Sequence, residues 1–182
     1  MVKLEKGKLL IAEPSMDDNY FFKSIIMIMH HNKDESIGLI INKKTNTLLG
    51  QLIDDIDQDF PVYIGGPVAT NSIHYIHTVK EIKNSNHISG DFYWGGDFNS
   101  IKNLIKNGLL NKKNICFFIG YSGWGKNQLH YEISKKDWIL KDNDLSWDKA
   151  FLRSDKLWPS FINQMSEKYA IWANMPDNPE LN

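Results

Sequence analysis

The residues best placed to do chemistry lie in one stretch, Gly120-Tyr121-Ser122-Gly123-Trp124-Gly125-Lys126-Asn127-Gln128-Leu129. An apolar run, Ile115 to Ile119, precedes it and reads as a buried strand, and Gln128 to Ile133 reads as a helix. A glycine-rich turn from strand to helix is a frequent anion site, because a helix N-terminus leaves backbone N–H groups unpaired. Through Lys126 the spacing fits the nucleotide loop G-x-x-x-x-G-K-[ST]. Position 127 is Asn, however, where Mg²⁺ coordination needs a hydroxyl, and the rings of Tyr121 and Trp124 crowd a backbone that would have to wrap a phosphate. The stretch is not a nucleophile elbow, because G-x-S-x-G would need Gly at position 124. It also lacks the third glycine of a dinucleotide fingerprint.

Trp124, Gln128 and Glu132 are spaced by four and would line one helical face, beside an apolar row of Leu129 and Ile133. An indole, an amide and a carboxylate grouped in this way support two readings. One is a polar ligand pocket. The other is a packing role, with Gln128 and Glu132 satisfying groups of neighbouring turns and Trp124 plugging the core edge. His31 is a possible base to set against Glu132 as an acid, provided both reach one ligand. Gly65 and Gly66, ahead of Pro67, are turn or close-approach positions whose bare N–H groups could line a cleft. Asn42, at the end of an apolar strand, either bonds its loop locally or faces that cleft. The six histidines make no metal pattern. His30 and His31 are adjacent, and His74 and His77 are three apart on a strand, so each pair points to opposite faces. Cys116 sits in an apolar run and reads as a buried, inert thiol.

Several elements must position these groups. Gly7 to Ala12 reads as a short strand ending before Pro14. Lys23 to His31 and Ile37 to Ile41 read as an antiparallel hairpin joined through a polar turn, on the strength of their β-branched density. Leu48 to Ile53 reads as a short amphipathic helix with Thr47 as N-cap. Strands are predicted at Pro61 to Ile64, Ile73 to Val79, Phe92 to Trp94 and Trp138 to Leu140. Asp97 can cap a helix running to about Asn107, with Ile101, Leu104 and Ile105 inward and Gly108 at its exit. Trp147 to Leu152 and Lys156 to Ala170 read as C-terminal helices, the second with Pro159 in its first turn. An irregular tail is expected over 174–182. No linker or internal repeat divides the sequence, so 1–182 is expected to be a single domain. Hairpins with interspersed helices make it α+β with a mostly antiparallel sheet.

Lys plus Arg number 21 and Asp plus Glu 22, so net charge is near zero and direct nucleic-acid binding is disfavoured. The single cysteine excludes an internal disulfide. No apolar run approaches the length of a membrane span, and the N-terminus has no long apolar region of a leader. A cytoplasmic protein without a membrane segment is the expectation.

Four blocks in order resemble the YqgE/AlgH family of uncharacterised bacterial proteins. They are Gly7-Lys8-Leu9-Leu10-Ile11-Ala12-Glu13-Pro14 with Asp17 and Phe21-Phe22, then His31 with Ser36-Ile37-Gly38-Leu39-Ile40-Ile41-Asn42. Gly65-Gly66-Pro67-Val68 follows, and last come Gly120-Tyr121-Ser122-Gly123-Trp124-Gly125 with Gln128-Leu129, Glu132 and Trp138. Two positions depart from the family pattern. Ala often stands where this chain has Ser122, and the residue at Lys126 varies. The resemblance implies one α+β domain with a compact, partly barrel-like antiparallel sheet flanked by helices. It implies no established activity and no cofactor; some relatives carry the label of transcriptional regulator. The expectation is a non-catalytic cytoplasmic binding or regulatory module. Its candidate ligand-binding residues are His31, Asn42, Gly65, Gly66, Tyr121, Trp124, Gln128 and Glu132, with no catalytic residue and no metal site. An unknown small molecule or a protein would be its partner. The rival expectations are an indirectly acting transcriptional regulator and a small-molecule hydrolase or transferase using His31 and Glu132.

Overall fold

The first two strands have no polar face, so both their faces must be covered. In β1 (Leu9–Ala12) and β2 (Ile25–His31) every residue up to Met29 is buried. A computed structural model describes residues 3–16, 18–56, 58–152, 154–165 and 169. Alternation splits each strand between two cores. Leu9, Ile11, Ile25, Met27 and Met29 point into one, and Leu10, Ala12, Ile26 and Ile28 into another.

The remaining strands are β3 (Ser36–Ile40), β4 (Lys44–Leu48), β5 (Pro61–Ile64), β6 (Val68–His77), β7 (Ser85–Ser89), β8 (Phe92–Gly95), β9 (Ile115–Trp124) and β10 (Trp138–Lys141). The main path runs β10-β1-β2-β3-β9-β6-β8-β7, with β5 on β9 and β4 on β5. Every pairing is antiparallel except β5 with β9. The sheet curls into a half-barrel, in keeping with the α+β expectation. Its inner face is covered by a wide π-type turn over Asp148–Leu152 and by α3 (Leu157–Asn163). Outside, α1 (Phe98–Lys106) covers the first half of β9 through Ile101 and Ile105. α2 (Gln128–Lys135) covers β1, β2 and β3 through Leu129.

β9 belongs to both halves of the sheet. Val62, Tyr63 and Ile64 pair with Phe117, Phe118 and Ile119, whereas Ser36, Ile37 and Gly38 pair with Trp124, Gly123 and Ser122. The strand passes from one set of partners to the other at Gly120, whose φ is +65°. A Cβ on Gly120 would lie 2.5 Å from the Gly66 carbonyl oxygen and 2.8 Å from that of Val68. One on Gly65 would lie 2.2 Å from the Gly120 oxygen, and one on Gly66 would lie 2.1 Å from the Tyr121 carbonyl carbon. Two backbones therefore touch directly at the crossing, which only glycine permits.

That arrangement corrects the first expectation. Gly120 to Trp124 is not a turn but the continuation of the strand; the turn is confined to residues 125–127. The glycines read as punctuation because a turn and a close backbone contact select the same residue. Leu48 to Ile53 is also different: Lys44–Leu48 is a strand, Thr47 lies within it, and only Leu49–Gln51 forms a short 3-10 turn. β4 and β7 are both mostly polar, so neither carries an apolar signal. The helix from Lys156 is α3, with Pro159 in its first turn as predicted. The continuation to Ala170 beyond residue 165 apart from Tyr169, the tail 174–182 and the motif residue Asp17 lie outside the described residues. Asp97 does cap α1, accepting from the Ser100 N–H at 2.8 Å, and Gly108 has φ +70° at the exit. That Ser100 pairing holds the Asp97 carboxyl below its ordinary range. Cys116 is buried, and desolvation pushes its thiol pKa well up, as an inert thiol requires.

Candidate functional site

The turn 125–127 and α2 build the candidate site. Asn127 adopts the left-handed conformation, φ 62°, and turns the chain from β9 into α2. Leu129 is buried against the sheet and sets the rotation of the helix. That rotation brings Glu132 back over the end of β9.

Glu132 is enclosed by donors. Its Oε2 accepts the Trp124 indole N–H at 2.8 Å and the Trp138 indole N–H at 2.8 Å. Its Oε1 accepts the Gln128 amide at 2.9 Å. The Gln128 Oε1 in turn accepts the Gly125 N–H at 3.0 Å, which ties the turn to the helix. The two indoles meet edge to face with centroids 6.1 Å apart and are 5% and 3% exposed. A buried indole needs an acceptor, and one carboxylate oxygen serves both. Trp138, on β10, belongs to the network although only its place in the motif marked it beforehand. A lone tryptophan six residues beyond Glu132 gives no periodic signal.

A cavity of about 1020 Å³ opens beside this network. Trp124, Gln128 and Glu132 line it together with Glu13, Asp18 and Asp137, and Lys135 and Lys136 stand at its rim. Of the GGP turn, Pro67 is the residue that reaches this wall.

The other expected site residues are placed elsewhere. Asn42 clamps the entry to β2: its Oδ1 accepts the Ile25 N–H and its amide donates to the Lys23 carbonyl, both at 2.8 Å. Gly65 and Gly66 make the backbone crossing with Gly120. Tyr121 packs on the inner core and meets His74 edge to face at 5.6 Å. His31 lines a separate cavity on the other side of α2, where its ring centroid is 5.6 Å from that of His130 and its Nδ1 shares a 2.8 Å hydrogen bond with the Ser36 hydroxyl. Burial, then the positive charges of His130, His30 and Lys3, lowers its pKa. His130 went unnoticed in the sequence because nothing in its spacing links it to His31; the helix packing does. Among the described residues no group of three or more His, Cys, Asp or Glu could hold a metal ion. No helix among them is long and apolar enough to cross a membrane.

Known proteins share this fold. A crystal structure of a protein from Corynebacterium diphtheriae superposes with a TM-score of 0.75 at 20% identity, covering 96% of this chain and 94% of that one. The solution structure of the AlgH protein from Pseudomonas aeruginosa gives 0.69 at 22% identity, covering 97% and 99%. These likenesses establish a common fold. Closer in sequence, a UPF0301 protein of Cytophaga hutchinsonii is 36% identical over 182 residues, 98% of this chain and all of its own length. One of Bacteroides fragilis is 35% identical, covering 97% of this chain and 91% of that protein. The family model described as AlgH-like matches residues 9–170, nearly the whole of the described fold, and the chain therefore belongs to the AlgH-like family.

Proposed function

We propose that the protein is a non-catalytic binding module working in the cytoplasm as one domain, with its ligand seated in the cleft beside Trp124 and Glu132. One observation carries this reading. Both oxygens of Glu132 already accept internal donors, three in all. A general acid or base needs a free position facing its substrate; Glu132 instead holds two indoles in place and shapes a wall. The acids around the cleft, Glu13, Asp18, Glu132 and Asp137, outnumber Lys135 and Lys136. That balance favours a polar ligand bearing a positive group, either a small molecule or a protein segment.

A regulatory role fits the same cleft if ligand occupancy changes what the protein binds. With charge near neutral, such regulation would act through a partner and not on DNA directly. The rival reading, a hydrolase or transferase using His31 and Glu132, has less support, because the two side chains line different cavities.

The test follows the Trp124 and Trp138 indole N–H resonances by NMR while cationic and neutral polar fragments are titrated in. Saturable shifts of both indoles, selective for the cationic fragments, are the expected result. Fragments that bind only at other resonances, or an absence of any saturable shift, would refute the cleft.

A further inference from the structure

The second cavity, about 370 Å³, opens on the side of α2 opposite Glu132. Its lining gathers charge from three separate elements: His31 from the end of β2, Lys33 and Glu35 from the turn that follows, and Lys126 and His130 from the turn and first residues of α2. The two imidazoles face one another with centroids 5.6 Å apart and planes tilted by 48°. The bond from His31 Nδ1 to Ser36 fixes that ring. Asn32, whose Oδ1 accepts the N–H groups of Asp34 and Glu35 at 2.8 and 2.9 Å, fixes the turn that carries Lys33. Among the described residues that line the cavity, one carboxylate, Glu35, opposes these groups, and it lies 3.8 Å from His30 Nε2.

We infer that this cavity binds a small oxyanion, with a phosphate group as the occupant its donors suit best. Two ammonium groups and two imidazoles supply donors from several directions, which matches a tetrahedral anion better than a planar one. The volume admits a phosphate with at most a short organic body. A phosphate monoester takes its second charge near the pH at which histidine titrates. As pH falls through that range the rings gain charge while the phosphate still keeps one negative charge. The charged and titratable groups around His31 are His30 on its own strand, Lys3 from the N-terminal segment, Lys33 and Glu35 from the turn, and Lys126 and His130 from the α2 side. Burial, then His130, His30 and Lys3, disfavour a charged His31; a bound anion reverses that preference. This is not the nucleotide loop that the glycine spacing suggested. Gly120 lies within β9 and Gly125 in the turn after it, and side chains supply the charge.

The experiment titrates the full chain with inorganic phosphate, using sodium chloride at matched ionic strength as control, and follows the histidine ring protons by NMR at about pH 6 and about pH 8. Saturable shifts of His31 and His130 that chloride does not reproduce are expected. After correction for the ionisation of phosphate itself, binding should be up to about tenfold tighter at the lower pH, corresponding to a rise of about one unit in the pKa of one ring. Lys126→Ala and His130→Gln, both at exposed positions, should each weaken binding about tenfold while thermal unfolding stays unchanged. Glycerol phosphate, run beside glycerol, separates the two sources of the group. If it binds tighter than inorganic phosphate, the occupant is a phosphorylated small molecule; equal or weaker binding makes it free phosphate. Absence of saturation at both pH values, a shift that chloride matches, or undiminished binding in the Lys126→Ala/His130→Gln double variant would overturn the inference.

Discussion

His130 and Glu132 lie two residues apart on α2, yet they sit in opposite circumstances. Residues at that spacing do not share a helix face. Glu132 turns toward the sheet, where two indoles and an amide occupy its oxygens. His130 turns to an open rim and is exposed; a histidine, two lysines and one carboxylate share its cavity. The contrast separates two uses of polar groups. A satisfied carboxylate beneath buried rings holds a shape, whereas a loosely tied set of titratable groups keeps its charge available.

Breaking the common support should erase the contrast altogether. Gly120→Ala forces a side chain at φ +65° into two carbonyl oxygens. We expect a loss of about 3 kcal/mol or more in urea unfolding, or failure to fold. Next in size is Glu132→Ala. It strands two indole N–H donors and should cost about 2 to 3 kcal/mol. Glu132→Gln retains an acceptor oxygen and should cost about half as much, and indole N–H shifts at Trp124 and Trp138 would report the damage directly.

Acid should act through the buried and half-buried histidines, of which His31 alone belongs to this contrast. His31, His74 and His77 all have pKa values lowered from 6.5, with burial the leading cause. Their unfolded forms bind protons first as pH falls, so protonation favours the unfolded state. Stability should hold above the ordinary histidine range and decline as pH drops through 6.5 and below. His31→Gln should make that decline shallower in urea midpoints measured across the range. An unchanged slope would mean that His31 protonates as easily in the fold as outside it. Smallest of all is His130→Ala, expected within about 0.5 kcal/mol of the parent. A loss as large as that of Glu132→Ala would abolish the distinction between the two sides.

Much of this was legible from residue order. The apolar runs located β1, β2, β3, β5 and the first half of β9, and Asp97 with Gly108 bounded α1. Trp124, Gln128 and Glu132 stood out by their spacing, and they do converge, although Trp124 reaches Glu132 from the end of a strand and not from the helix. β4 and β7 were missed because their mostly polar residues lack the apolar alternation that marks a half-buried strand. The role of Gly120 was misread because a strand that changes partners needs the same conformational freedom as a turn.

Local propensity and periodicity act over a few residues, so the composition and patterning of the chain already specified an α+β protein, a buried thiol at Cys116, a capped α1 and the polar row of α2. Which partners that row meets depends on contacts between positions far apart in the chain. Trp138 under Glu132, His31 beside His130, and Gly65 and Gly66 against Gly120 and Tyr121 come together only because β9 crosses between two sets of strands and packing on Leu129 fixes the rotation of α2. No local pattern encodes such meetings, because their energy comes from burying surfaces that are brought together only when the sheet curls.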